Sequence, residues 1–180
     1  MLGPTIETDR LILRPPAEAD LDGWAAFMAD ERSARFVGGV QSRALAWRSM
    51  ATMTGSWTLK GFGMFSVLEK ASGRWVGRLG PWRPEGWPGT EVGWGISSAH
   101  WGKGYAAEGA TAAIDWAFDA LGWDEVIHCI DPANLASIAV AERLGSAKRG
   151  PGRMAPPFDN YDVDIWGQTR EQWHVRRRAR

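Results

Sequence analysis

The segment from Glu91 to Gly145 constrains this chain most, because it reads as strand, glycine turn, helix, strand and helix in unbroken succession. Glu91 to Ser97 is a strand interrupted by Gly93 and Gly95, a pattern that predicts a bulge or a close backbone approach. Gly102-Lys103-Gly104 then opens a helix over Tyr105 to Leu121, with Ala106, Ala110, Ala113, Ala117 and Leu121 on one narrow stripe and Gly122 as its stop. Glu125 to Ile130 reads as a buried strand, and Asn134 to Leu144 as a second helix capped by Asn134 and closed by Gly145. A glycine turn at a helix N-terminus gathers backbone N–H groups and the positive end of the helix dipole, which suits a phosphate-bearing ligand.

The flanking sequence is consistent with one surrounding sheet. Thr8 to Arg14 alternates Leu11 and Leu13 with polar neighbours and stops at Pro15-Pro16, so it reads as a half-buried first strand. Helical spacing follows over Ala17 to Met28 and over Ser42 to Trp57, with Phe36-Val37-Gly38-Gly39 as the loop between. Gly63 to Lys70 and Arg74 to Leu79 form a hairpin about Ala71-Ser72-Gly73. Gly80 to Gly89 reads as a stiff loop carrying Trp82 and Trp87, and Tyr161 to Trp166 as the last strand.

With 180 residues, 44% of them apolar, and no break in composition, residues 1–180 are expected to form a single domain. Zero net charge offers nothing global to draw nucleic acid or an anionic membrane, and residues 174–180, with Arg176, Arg177, Arg178 and Arg180, are expected to be a mobile, solvated tail. A single cysteine, Cys129, excludes an internal disulfide, and its apolar strand makes it an inert thiol rather than a nucleophile. No apolar run approaches the ~20 residues of a membrane span, so a cytoplasmic protein is expected. His100, His128 and His174 are scattered, and no metal site is expected.

Gly102-Lys103-Gly104-Tyr105-Ala106-Ala107 fits the dinucleotide pattern G-x-G-x-x-A, and Asp131 ends the next strand, so an NAD(P)-binding Rossmann-like protein stands as an alternative. Against it, the preceding strand is diluted by glycine and serine, and too little chain follows Asp131 for a second nucleotide-binding half.

Trp101-Gly102-Lys103-Gly104-Tyr105-Ala106 resembles the acetyl-CoA loop of the GNAT acetyltransferase superfamily. Thr8-Asp9-Arg10-Leu11-Ile12-Leu13-Arg14 resembles the opening strand of its ribosomal-protein N-terminal acetyltransferase branch. Asn134-Leu135-Ala136-Ser137 with Arg143-Leu144-Gly145 is similar to the branch's cofactor helix, and Asp164-Ile165-Trp166 through Trp173 to its closing strand and tail. The resemblance implies an α/β (α+β) fold, a mixed, splayed central sheet of about six to seven strands flanked by about four helices. It implies acetyl-CoA as cofactor, with the pantetheine arm along Trp94, Gly95 and Ile96, and the pyrophosphate on the backbone of Gly102, Lys103, Gly104, Tyr105 and Ala106. Lys103 could add charge, whereas Trp101 stands where the superfamily often has Arg or Gln. Asn134 and Ser137 resemble residues that touch the pantetheine arm and the sulfur end.

The implied reaction moves an acetyl group to a primary amine, by direct attack in a ternary complex. An amine of pKa ~10.4 is neutral about once in 2,500 molecules at pH 7, so a base is needed. Glu91 stands where the family often places a glutamate, and burial would raise its pKa toward the working pH. The tyrosine that often protonates the leaving thiolate is absent from the Asn134 helix, which leaves Ser137 as the candidate donor. Backbone N–H groups near Trp94 to Ile96 would meet the oxyanion. Phe36, Trp82, Trp87 and Trp94 are the candidate walls for the acceptor, a protein N-terminus or a small-molecule amine. Expected partners are this acceptor, with a homodimer allowed, but neither nucleic acid nor membrane. A non-catalytic acyl-CoA sensor is a further alternative.

Overall fold

Residues 2–179 are described by the computed structural model, and its sheet begins where the leucine alternation lies. β1 (Ile6–Glu7) and β2 (Leu11–Arg14) pair antiparallel, with Leu11 and Leu13 in the core. After a short 3-10 turn come α1 (Leu21–Ala29), α2 (Glu31–Ala34) and α3 (Arg43–Lys60). Asp30 and Ser42 side chains accept backbone N–H groups at the starts of α2 and α3. β3 (Phe65–Glu69) and β4 (Trp75–Trp82) form the expected hairpin, and β5 (Glu91–Ile96) lies antiparallel to β4. Then follow α4 (Tyr105–Asp119), β6 (Glu125–Ile130), α5 (Leu135–Leu144), β7 (Ala147–Gly152), β8 (Val163–Thr169) and α6 (Arg170–Arg178).

The strands form one open sheet in the order β1-β2-β3-β4-β5-β6-β8-β7, in which only β5 and β6 run parallel. Alternate residues of β4 serve opposite faces. Leu79 meets α4, which approaches so closely that a Cβ on Gly109 would stand 2.5 Å from Leu79 Cδ2. Arg78 turns the other way, beneath Trp24 and Phe27 of α1.

Among the described residues there are eight strands and six α-helices, more than the sequence led us to expect. Gly80-Pro81-Trp82 continues β4 opposite Gly93, Val92 and Glu91 instead of starting the loop. β3 has ended at Phe65, opposite Leu79, so the missing N–H of Pro81 costs no ladder bond. No bulge interrupts β5, whose register with β4 is continuous, and its glycines instead make room for Met64 and Phe27. β7 is a largely exposed edge strand without apolar alternation, and Tyr161 lies in the turn before β8. The basic end is a docked helix as far as Arg178. Thr169 and Gln172 cap it, Trp173 is buried, Arg177 pairs with Asp115 at 2.9 Å, and Arg176 donates to the Arg143 carbonyl at 2.6 Å. Arg180 lies outside the described residues.

Candidate active site

β5 and β6 share only the pair Glu91 with Ile127, so the sheet parts beyond Glu91. Two side chains occupy the parted edge of β5. His128 Nδ1 donates to the Val92 carbonyl at 2.7 Å, and the Trp101 indole N–H donates to the Ile96 carbonyl at 2.7 Å. By the two-residue period of a strand, the N–H and C=O of Trp94 point into the gap between these wedges, where an extended ligand could pair with them. His128 is neutral, because burial pulls its imidazole down to about 4. Its Nδ1 is the donor, so Nε2 accepts from the Ser146 hydroxyl at 2.9 Å, and Gln168 donates to Ser146 Oγ at 2.9 Å. Sequence reasoning saw His128 only as an isolated histidine; its one signal was a polar residue inside an apolar strand run.

The parted strands open onto a groove of about 800 Å³. Gly102 and Gly104 adopt left-handed φ of 77° and 80° as they lead into α4. No side chain caps α4, whereas Ser42, Asn134 and Thr169 cap α3, α5 and α6, so the first amides of α4 are left for an anion. Trp94, Gly95, Ile96, Trp101, Gly102, Gly104, Tyr105, Ala106, Asn134 and Ser137 all line this groove. Lys103 does not; its ammonium bonds Glu69 Oε1 at 3.2 Å, beside the Tyr105 hydroxyl, which donates to the same oxygen at 2.6 Å. Positive charge comes instead from Arg32 and Arg35, which line the groove, with the Arg32 guanidinium 5.1 Å from the Trp101 ring centre. Both sit in a short segment where the sequence showed no periodicity. A left-handed cradle, an uncapped helix, an open strand edge and a cationic rim fit a long anionic ligand with one extended arm, as acetyl-CoA is.

A second cavity, about 160 Å³, shares Phe36, Trp94, Asn134 and Ser137 with the groove. Glu91 lines it at 7% exposure, taking the Trp87 indole N–H on Oε2 at 2.5 Å and the Cys129 N–H on Oε1 at 3.2 Å. Burial pushes its carboxyl up from 4.5 to about 7, with the Cys129 and Trp87 bonds and the Arg78 charge pulling partly back. The four expected aromatic residues, Phe36, Trp82, Trp87 and Trp94, all line this cavity. Met53, Met64, Arg78, Met154, Phe158 and Tyr161 join them, from segments whose sequence gave no reason to place them there. Ser137 Oγ accepts the Trp94 indole N–H at 3.2 Å, which leaves its own proton free to be donated. Asn134 Oδ1 accepts the Ser137 backbone N–H at 3.2 Å, so Asn134 both caps α5 and faces the groove. Cys129 is half-buried and remains a thiol, its pKa raised first by burial and then by Glu91.

Among the described residues no three His, Cys, Asp or Glu side chains cluster as metal ligands, and no helix is long and apolar enough to cross a membrane.

Residues 10–147 match the family described as acetyltransferase (GNAT) domain. The crystal structure of the acetyltransferase from Agrobacterium tumefaciens is 34% identical, aligns over 93% of this chain and 95% of its own, and superposes with a TM-score of 0.80. A protein described as a GNAT-family acetyltransferase from Bordetella pertussis is 29% identical over 92% of this chain and 99% of its own, with a TM-score of 0.76. A ribosomal-protein-alanine acetyltransferase from Vibrio fischeri, 18% identical over 94% of this chain and 98% of its own, shares the fold with a TM-score of 0.73. No curated protein matches the chain.

Proposed function

The chain belongs to the GNAT acetyltransferase family, and from that premise we propose that it transfers an acetyl group from acetyl-CoA to a primary amine by direct attack. One observation carries the reading: a buried carboxyl with a pKa of about 7 stands where β5 and β6 part and lines an aromatic cavity that shares Trp94, Asn134 and Ser137 with an anion-suited groove. When bound, acetyl-CoA supplies a thioester carbonyl open to attack by nitrogen. The amides from Gly102 to Ala106 hold its pyrophosphate, and Arg32 adds charge at the rim. The Trp94 backbone pairs with the pantetheine arm and offers an N–H toward the carbonyl oxygen, where negative charge develops.

Glu91 takes the proton from the acceptor ammonium. Near pH 7 about half of it is ionised, which balances base strength against availability. The N–C bond forms and the C–S bond breaks. Ser137 or water then gives the departing sulfur a proton, and Ser137 is ready for this because its oxygen is already held by Trp94. Cys129 takes no acetyl group, since its thiol stays protonated. The acceptor enters between Phe36, Trp82, Trp87 and Trp94.

The nicotinamide alternative requires a doubly wound parallel sheet, whereas this sheet has one parallel pair. Calorimetric titration with acetyl-CoA, CoA and NAD in parallel tests the donor. Micromolar binding of acetyl-CoA without binding of NAD is expected. NAD binding alone would overturn the reading, and acetyl-CoA binding with no turnover of any amine would leave an acyl-CoA sensor.

A further inference from the structure

Arg78 is a buried cation that makes no ion pair, although the charge of Glu91 acts on it across the cavity. It is 6% exposed, yet it lines the same cavity as Glu91. Its Nη1 donates to Met64 Sδ at 2.8 Å, while Nε is buried with no partner at all. The rings of Trp24 and Phe27 lie 5.7 and 6.0 Å from the guanidinium carbon. Among the described residues, the other buried charges are matched: Asp20 pairs with Arg14 at 2.7 Å, Asp164 with Lys148 at 2.7 Å, and Glu91 accepts two N–H groups. A guanidinium has five N–H donors, and burying it against a thioether and two rings leaves most of that capacity unused. Burial lowers its pKa to about 10, so it is still a cation at neutral pH.

The strand register shows what this cation faces. Arg78 stands opposite Gly95, Gly80 opposite Gly93 and Trp82 opposite Glu91, so Arg78, Trp82 and Glu91 share one face of the sheet. The glycines put no side chain of their own between the guanidinium and the carboxyl; Phe27 lies over Gly95, and the Met64 thioether lies over Gly93. The point where a Gly93 Cβ would stand is 3.4 Å from Glu91 Oε1 and 2.9 Å from the Cε of Met64, the residue to which Arg78 donates. Arg78 and Glu91 thus line one cavity from the same sheet face without forming an ion pair. The cavity of about 160 Å³ above them has aromatic walls. An apolar cavity of roughly 150 Å³ accommodates a benzene ring.

We propose that the acceptor is a free α-amino acid with a compact hydrophobic side chain. Arg78 takes its carboxylate in a two-bond clasp, Glu91 takes the proton from its amine one carbon away, and Phe36, Trp82, Trp87 and Phe158 enclose the side chain. The products are the N-acetyl amino acid and CoA. The ammonium proton passes to Glu91, the thiolate gains one proton, and Arg78 keeps its charge throughout. A polyamine or an aminoglycoside brings no anion to Arg78 and sets further cations beside it, and a protein N-terminus offers only a neutral carbonyl. This inference rests on the acetyltransferase reading for its chemistry but not for its recognition.

The test compares phenylalanine, leucine and methionine with their amides, by calorimetry in the presence of CoA and by kcat/KM with acetyl-CoA. Free amino acids should exceed their amides by about 100-fold, and Arg78→Met should level each pair. Arg78→Met is expected to fold, because it replaces a buried, unpaired charge with an apolar chain of similar length. The comparison within the wild-type protein needs no variant. Equal binding and turnover of acids and amides by the wild type would overturn the proposal, as would an unchanged preference in a folded Arg78→Met. Carboxylate-dependent binding without turnover would uphold recognition of the amino acid by Arg78 and overturn acetyl transfer to it. Turnover of amines that ignores the carboxylate would do the reverse.

Discussion

Replacing Glu91 by glutamine removes a buried charge at nearly constant shape, so its effect on stability should depend on pH. The carboxyl moves from 4.5 in the unfolded chain to about 7 in the folded one. Between these values the folded state holds a proton that the unfolded state has released, so the contribution of Glu91 to stability falls as pH rises through this window. At about 1.4 kcal/mol per pKa unit, the folded state has lost about 3 kcal/mol once the pH exceeds about 7. Glutamine carries no such penalty. His128 works in the opposite sense: its depressed pKa, about 4 against 6.5, makes stability rise with pH between those values. That contribution is common to both proteins and cancels in their difference. Glutamine also disturbs the bonds from Trp87 and Cys129, a cost of about 1 kcal/mol that does not vary with pH. Urea unfolding of both proteins at intervals from about pH 5 to about pH 8 should therefore show the variant gaining about 2.5 kcal/mol on the wild type across the series. A difference that stays flat with pH would refute the burial argument and leave Glu91 an ordinary carboxyl.

Three further outcomes follow from the groove. Gly104→Val should weaken acetyl-CoA binding at least ~100-fold by calorimetry, because a β-branched residue cannot hold φ 80° and its side chain would crowd the amides. Space within the fold is not the obstacle, since a Cβ there meets only Arg10 at 3.6 Å. Lys103→Ala should change that affinity less than about 3-fold, because the ammonium is held by Glu69 and not aimed into the groove. Asn134→Ala should cost about 1 kcal/mol in urea unfolding through loss of the α5 cap, whatever it does to the cofactor.

Local signals carried much of the fold into the sequence. Leu11 and Leu13 marked β2, Ser42 and Asn134 marked helix starts, and Gly145 marked a helix end, because each acts through its near neighbours. Pro81 misled because its cost depends on whether β3 extends beside it, which is a tertiary fact. α6 was hidden because Arg176 and Arg177 find partners in Arg143 and Asp115, far away in the chain. At the site, the loop and the aromatic walls were legible as residue types in sequence order. Arg78 and His128 were not, because each takes its meaning from register: one shares a sheet face and a cavity with Glu91, the other wedges open the strand beside it. Lys103 was read as a groove residue because its neighbours are, and Glu69, from a different strand, turns it aside.

The measurement that bears most directly on Glu91 as the base is the pH dependence of kcat/KM for acetyl transfer in the wild type and in Glu91→Gln. The wild-type rate should rise through about pH 7 as the carboxyl ionises, and the variant should lose about 100-fold or more along with that inflection. Equal rates with the inflection intact in Glu91→Gln would contradict the account and place the base elsewhere.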